Sequence, residues 1–96
     1  MEQLSEIKQV LARLKPELSR RFHVQSLGLF GSVVRDDFFP SSDIDIIVDF
    51  DQPVGIEFID LAHYIEQRLQ KKVDLVSRRG VKDKYFKAIE QEIVYV

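Results

Sequence analysis

The sequence lacks several residue types and patterns, and each absence excludes a class of protein. Its 96 residues include no cysteine, which rules out disulfide bonds and thiolate metal sites and fits a reducing compartment such as the cytoplasm. No apolar run approaches the ~20 residues of a transmembrane helix. The charged N-terminal segment, with Glu2, Glu6 and Lys8, is unlike a signal peptide. We therefore expect a cytoplasmic protein with no membrane contact.

A basic excess is also missing. The formal net charge is −2, whereas a duplex-binding module carries a surplus of Lys and Arg, so we expect no direct nucleic-acid binding. The charges are unevenly spread: residues 36–60 hold eight acidic and no basic side chains, and residues 68–87 hold eight basic ones against two acids. This division fits two differently solvated faces, or an acidic metal centre beside a basic segment that meets phosphates or an acidic partner.

Length and hydrophobic periodicity predict a single α/β domain over residues 1–96. The predicted elements are a helix to about Leu14, a kink or second short helix opened by Pro16 and ending near Phe22, strands over 24–30, 43–50 and 73–77, helices over 56–70 and 82–91, and a final strand over 93–96. This order indicates a small mixed sheet of about four strands with helices packed on it.

Apolar stripes at helical spacing mark the faces that we expect to be buried. They are Leu4, Ile7, Leu11, Leu14 and Leu18 in the first helix, Phe58, Leu61, Ala62, Ile65 and Leu69 in the second, and Val81, Tyr85, Phe86 and Ile89 in the third. The first stripe is expected to pack on the sheet, although a partner-binding helix would show the same pattern.

Two aspartates open the second predicted strand. Asp43 and Asp45 are two residues apart, so their side chains point to one face of the sheet. Neighbouring carboxylates repel, which raises the pKa of one of them unless a cation compensates, and Mg²⁺ is the simplest such cation because it takes oxygen ligands. Asp74 interrupts the third predicted strand; it either faces water or completes a carboxylate triad, and we favour the triad.

A Gly-Ser turn lies just upstream of these acids. Gly31 allows the backbone to approach a ligand closely, and Ser32 offers a hydroxyl to an anion and is predicted to cap a helical turn over 33–35. A Gly-Ser pair is by itself a common turn dipeptide. Arg35 could neutralise a phosphate or pair with a nearby acid.

Gly31-Ser32, ten residues, then Asp43-x-Asp45, with Asp74 in a later strand, resembles the signature of the DNA polymerase β-type nucleotidyltransferase superfamily. The short chain is similar to its minimal nucleotidyltransferase (MNT) branch, known as the antitoxin partner of HEPN-domain toxins. The resemblance implies the polymerase β-type fold and two Mg²⁺ ions held by the three aspartates. It also implies that Gly31, Ser32 and Arg35 contact the phosphates of ATP.

The resemblance further implies a reaction. AMP would pass from ATP to a hydroxyl, expected to be a tyrosine of a partner HEPN toxin, with Asp74 accepting the proton. The alternative is a catalytically idle antitoxin that acts by binding alone. Transfer to a small molecule or to an RNA 3′ end is disfavoured by the near-neutral charge and the lack of an acceptor domain. Asp36 departs from the family pattern, in which a glycine usually follows the arginine.

Other polar and aromatic residues are expected to have structural roles. Asp49 faces the same way as Asp45 but lies roughly 13 Å along the strand, too far to share a metal. His23 and His63 are expected at the surface. Phe38, Phe39 and Pro40 form an apolar patch that either tucks onto the core or contacts a partner.

Overall fold

A four-stranded mixed sheet is the centre of the structure, a computed structural model that describes residues 2–35 and 42–96. The elements are helix α1 (Glu2–Phe22), strand β1 (Val24–Phe30), a 3₁₀ turn (Gly31–Val33), β2 (Ile44–Phe50), α2 (Glu57–Leu69), β3 (Val73–Ser77), α3 (Asp83–Ile89), a second 3₁₀ turn (Glu90–Glu92) and β4 (Val94–Tyr95). The strand order is β3-β2-β1-β4; β1 runs antiparallel to β2 and β4, and β2 runs parallel to β3. The predicted mixed sheet with packed helices is therefore confirmed.

Helices α1 and α2 cover one face of the sheet and bury the main core. Their inward residues are completely buried against alternate residues of β1 and β2, as the helical and strand periodicities predict. These fully buried side chains are Leu11, Leu18, Leu61 and Ile65 from the helices and Leu27, Leu29, Ile44, Ile46 and Val48 from the strands. Burial of each such side chain contributes about 1.5–3 kcal/mol, which makes this face the main source of stability.

Helix α1 continues through Pro16 to Phe22, so the predicted end near Phe22 is confirmed and the separate second helix is wrong. The alternative of a kink at Pro16 stays a prediction. Proline removes one backbone hydrogen bond from a helix interior, a local cost that favours a break. Leu11 and Leu18 lie on either side of Pro16, and both are fully buried in the same core. Their packing keeps the two halves of the helix in one element, which overrides the local preference.

Helix α3 covers part of the opposite face with a smaller apolar cluster. Ile89 packs there with Phe30 and Ile47, and Phe86 adds to it. Tyr85, predicted to be buried, is instead 50% exposed. The helix ends at Ile89 and gives way to the second 3₁₀ turn, two residues before its predicted end. Asp45 and Asp49 also lie on this face of β2, because they alternate with the core residues Ile44, Ile46 and Val48.

Helix α2 connects the parallel strands β2 and β3, a connection that needs a crossover element. Its predicted stripe is confirmed: Leu61 and Ile65 are buried, and Phe58 and Leu69 pack against the same core. Tyr64, which the stripe leaves out, also packs against this core, with its ring 5.4 Å from that of Phe22. Within the described ranges, no helix combines the length and the apolar character that crossing a membrane requires.

Candidate active site

Asp45 and Asp74 occupy matching positions on the parallel strands β2 and β3. The Asp74 carboxyl group is close enough to that of Asp45 to raise its pKa. Asp45 is half-buried and Asp74 is exposed, so the pair lies where solvent reaches the sheet. Asp43, exposed and directly before β2, is near enough for its charge to act on Asp45. The structure thus puts Asp74 and Asp43 close enough to Asp45 for their charges to act on its carboxyl group.

The pKa of Asp45 is raised from an ordinary value of 3.8 to about 6. Burial is the largest cause, since it disfavours the charged form, and the charges of Asp74 and Asp43 come next. The hydrogen bond to Asp74 raises the pKa further, while the guanidinium of Arg35 acts in the opposite direction. The fold therefore holds a carboxyl group in surroundings that favour its neutral form, as the sequence-based repulsion argument predicts.

Two features of the site require a glycine at position 31. Its φ of 77° lies in the left-handed region, where a Cβ atom is strained. A Cβ at this position would also overlap Oδ2 of Asp45 and lie 3.0 Å from its Cγ. The turn after β1 is thus in direct contact with the carboxylate of Asp45, and only glycine allows that approach.

Ser32 lies within the 3₁₀ turn and does not cap it, so its predicted capping role is wrong. The turn begins two residues earlier than predicted, after the extended Phe30. Backbone groups close it: the N–H of Val34 donates to Gly31 O, and the N–H of Arg35 donates to Gly31 O and Ser32 O. The Ser32 hydroxyl is therefore not needed to form the turn.

Glu92 belongs to this site, and the sequence reading missed it. The backbone N–H of Gly31 donates to Glu92 Oε1 at 2.9 Å. Nη1 of Arg35 lies 3.4 Å from each carboxylate oxygen of Glu92. Arg35 thus pairs with an acid, one of its two predicted partners. No periodicity or motif marks Glu92, because its contact depends on where β4 lies beside β1.

Asp49 has the structural role that its distance from Asp45 predicts. Its Oδ1 accepts a hydrogen bond from the backbone N–H of Phe50 and lies 3.5 Å from Nε of Arg79. His63 is exposed and His23 is half-buried at the start of β1. Two further predictions concern residues outside the described ranges: Asp36 in place of the usual glycine, and the apolar patch at 38–40.

The aspartates do not form a closed metal cage. Within residues 2–35 and 42–96, no three Asp, Glu, His or Cys side chains are arranged to hold a metal ion. The donor set nevertheless fits a hard divalent cation, because carboxylate oxygens are the ligands that Mg²⁺ takes and mutual repulsion already raises the pKa of Asp45. Mg²⁺ also keeps waters and substrate phosphates as ligands, so a few carboxylates on an open surface suffice.

Comparison with known proteins decides the family. The nucleotidyltransferase domain family matches residues 11–96 of this chain. The protein adenylyltransferase MntA of Thermococcus cleftensis is 43% identical over 94 residues, which cover 97% of this chain and 95% of that protein. The chain belongs to the nucleotidyltransferase domain family.

Solved structures agree with this membership. A minimal nucleotidyltransferase superposes on this family member with a TM-score of 0.75 at 26% identity, over 92% of this chain and 93% of that one. A complex of a tri-AMPylated HEPN toxin from Shewanella oneidensis with an MNT antitoxin contains a chain that matches with a TM-score of 0.61 at 23% identity, over 97% of this chain and 67% of that one. The second likeness is one of fold. Together they confirm the nucleotidyltransferase fold that the motif predicted.

Proposed function

We propose that this nucleotidyltransferase moves AMP from ATP to a tyrosine hydroxyl of a partner HEPN toxin in the cytoplasm and thereby silences the toxin. The observation that carries the proposal is the pairing of Asp45 with Asp74 on neighbouring strands, beside the tight turn at Gly31. The protein adenylyltransferase name of a relative 43% identical to this chain supports the reaction. The fold shared with the MNT–HEPN complex supports the kind of partner.

Asp43, Asp45 and Asp74 would hold two Mg²⁺ ions. Such ions supply charge stabilisation to the attacking and leaving oxygens of an in-line displacement at phosphorus. Asp45 lies deepest of the three and touches the turn at Gly31, so it would fix the metal site against the phosphate site. Asp74 is exposed on the edge strand β3, where an acceptor from another protein can reach it.

The turn after β1 would hold the triphosphate. The Ser32 hydroxyl and the guanidinium of Arg35 are donors to anionic oxygens. Gly31 contacts the carboxylate of Asp45, and the charge of Arg35 acts on that carboxylate. Donors fixed before the substrate arrives lower the cost of organising the charge that develops on the leaving pyrophosphate.

The acceptor hydroxyl oxygen forms a bond to the α-phosphorus of ATP, and the bond between that phosphorus and the α–β bridging oxygen breaks. Pyrophosphate leaves with the electron pair. The hydroxyl proton passes to the carboxylate of Asp74. The products are an adenylated hydroxyl and pyrophosphate.

The second candidate is an antitoxin that neutralises its toxin by contact alone. One observation favours it: the described residues contain no preformed group of three metal-binding side chains. The raised pKa of Asp45 opposes it, because an idle site would retain mutual repulsion that an Asn at either position would remove.

One experiment separates the two functions. The purified chain is mixed with a candidate partner HEPN toxin, ATP and Mg²⁺, and the intact mass of the toxin is measured together with its activity. We expect the toxin to gain whole AMP groups with the wild-type chain and none with Asp45→Asn or Asp74→Asn, although both variants still bind it. Neutralisation by all three chains without a mass change would establish the binding-only function instead.

A further inference from the structure

We infer that Glu92 is a positioning residue that fixes the phosphate-binding turn, through Gly31 and Arg35, against the edge of the sheet. The inference rests on the proposed adenylyl transfer, in which that turn holds the triphosphate. Glu92 itself would touch neither the nucleotide nor the acceptor hydroxyl. It would act on the reaction by holding the groups that do.

The contact continues the ladder between β1 and β4. Leu29 pairs with Val94, and the N–H of Val96 donates to Leu27 O at 2.9 Å, so alternate residues of β1 direct their backbone groups toward β4. Gly31 is two residues beyond Leu29, and its N–H points to the same side. Opposite Gly31 the chain is not yet in β4 but still in the preceding 3₁₀ turn. The side chain of Glu92 therefore supplies the acceptor that a strand backbone would supply.

This geometry separates Glu92 from the proposed phosphate site. Ladder hydrogen bonds lie in the plane of a sheet, whereas side chains stand roughly perpendicular to it. Glu92 therefore contacts the N–H of Gly31 within the plane of the sheet. The carboxylate of Asp45 contacts Gly31 from a different side, where a Cβ atom would lie. A nucleotide beside Asp45 would not have to displace Glu92.

The same carboxylate also engages Arg35. Ion pairs between half-exposed groups contribute little alone, and these side chains are 52% and 30% exposed. The ion pair can nevertheless restrict the position of Arg35, because the hydrogen bond from Gly31 already holds the Glu92 carboxylate in place. One side chain thus constrains the start and the end of the five-residue segment 31–35.

Glu92 and Asp45 are therefore connected through Gly31, which contacts both. Releasing the N–H of Gly31 frees the turn to move relative to the carboxylate against which it packs. Misplacement of reacting groups by about 1 Å can cost on the order of 100-fold in rate. Loss of Glu92 should therefore weaken both nucleotide binding and turnover.

The test compares Glu92→Ala, Glu92→Gln and the control Glu90→Gln, which removes one negative charge from the same 3₁₀ turn. Two quantities are measured well below each melting temperature. The first is the Kd for the α,β-methylene analogue of ATP, which cannot release pyrophosphate. The second is the kcat and ATP KM of toxin adenylation.

We expect Glu92→Ala to raise the analogue Kd and the ATP KM and to lower kcat/KM by about 10- to 100-fold. Glu92→Gln keeps an acceptor for Gly31 but loses the charge that faces Arg35, so its values should lie between those of wild type and Glu92→Ala. Glu90→Gln should match the wild type. If Glu92→Ala alone fails to fold, the graded effect of Glu92→Gln decides.

Wild-type affinity in a folded Glu92→Ala or Glu92→Gln chain would overturn the inference, because a merely stabilising contact leaves the folded site unchanged. Tighter binding would also overturn it, since Glu92 would then compete with the phosphates. The proposed function fails separately: a wild-type chain that adenylates no toxin disproves the reaction. The analogue affinities of the variants still decide the role of Glu92 in that case.

Discussion

Asp45 and Asp74 lie directly opposite one another on neighbouring parallel strands, where the charge of Asp74 raises the pKa of Asp45. Repulsion between the two carboxylates is relieved when one of them carries a proton or when a cation lies between them. The pKa of Asp45, about 6, expresses this condition, and it makes the site sensitive to pH and to divalent metal.

Removing the charge of Asp45 should stabilise the metal-free fold. The pKa of Asp45 is about 6 in the fold against an ordinary 3.8, so the folded state binds more protons between these values and stability falls as pH rises through that window. The loss of stability caused by ionised Asp45 is absent below about pH 4 and complete above about pH 6. After discounting for solvent screening, we expect Asp45→Asn to gain about 1 kcal/mol at pH 7.5 and nothing at pH 3.5.

Urea denaturation in EDTA at several pH values checks this expectation. The relevant quantity is the difference between the unfolding free energies of Asp45→Asn and wild type, because contributions from other titrating groups cancel in it. Asp49→Asn serves as a control on the same strand. A difference that does not change with pH, or that shrinks as pH rises, would contradict the assigned surroundings of Asp45.

Magnesium should stabilise the wild-type chain by relieving the same repulsion. A ligand at 100 times its Kd adds about 2.7 kcal/mol to stability, which raises the melting temperature by several degrees in a domain of this size. The variant Asp45→Asn/Asp74→Asn should show almost no shift, because the charges that attract the ion are gone. Equal shifts in the two chains, measured by thermal melting at pH 7.5, would place magnesium elsewhere.

Gly31→Ala should destabilise the fold and abolish the activity together. The left-handed backbone costs a non-glycine residue about 1–2 kcal/mol, and the added Cβ must push away the carboxylate of Asp45. We expect a loss of about 2–4 kcal/mol in unfolding free energy. Gly80→Ala is the matched control, because its Cβ would meet only ordinary contacts, 3.7 Å from Ser77 O. Comparable losses in the two variants would argue against a special conformation at Gly31.

Pro16→Ala should stabilise the protein and leave nucleotide chemistry unchanged. Alanine restores the helical hydrogen bond that proline cannot donate, a gain partly offset by the greater freedom of the unfolded chain. We expect a net gain of about 1–3 kcal/mol in unfolding free energy, measured by urea denaturation. Ser19→Ala, at another exposed position of α1, should change stability by no more than about 0.5 kcal/mol. No gain at Pro16 would mean that the helix is already bent to accommodate it.

Much of this fold could be predicted from the sequence because its local and global preferences agree. The bounds of β1 and β3 match the predicted ranges, since apolar runs bounded by turn residues define both strands. The predictions failed where tertiary packing decides. At Pro16, buried leucines on both sides overrule the local preference. At Tyr85, α3 presents Phe86 and Ile89 to the sheet and leaves the tyrosine outside.

Part of the candidate site could likewise be predicted from the sequence, and part depends on how the strands pair. Spacing alone puts Asp43 and Asp45 on one face, and the family motif adds Asp74, but strand register is what makes Asp45 and Asp74 neighbours. Glu92 could not be found, because its role depends on the pairing of β1 with the two-residue strand β4 stopping at Leu29, two positions before Gly31. A sequence reveals such a contact only once the pairing of its strands is known.

The most direct test follows the phosphorus atom that is transferred. The chain is incubated with its HEPN toxin, Mg²⁺ and ATP that carries radioactive phosphorus at either the α or the γ position, with Asp74→Asn as the inactive control. We predict that the toxin becomes labelled from α-labelled ATP only, and that Asp74→Asn gives no label. Label from the γ position, or equal labelling by Asp74→Asn, would contradict adenylyl transfer at these aspartates.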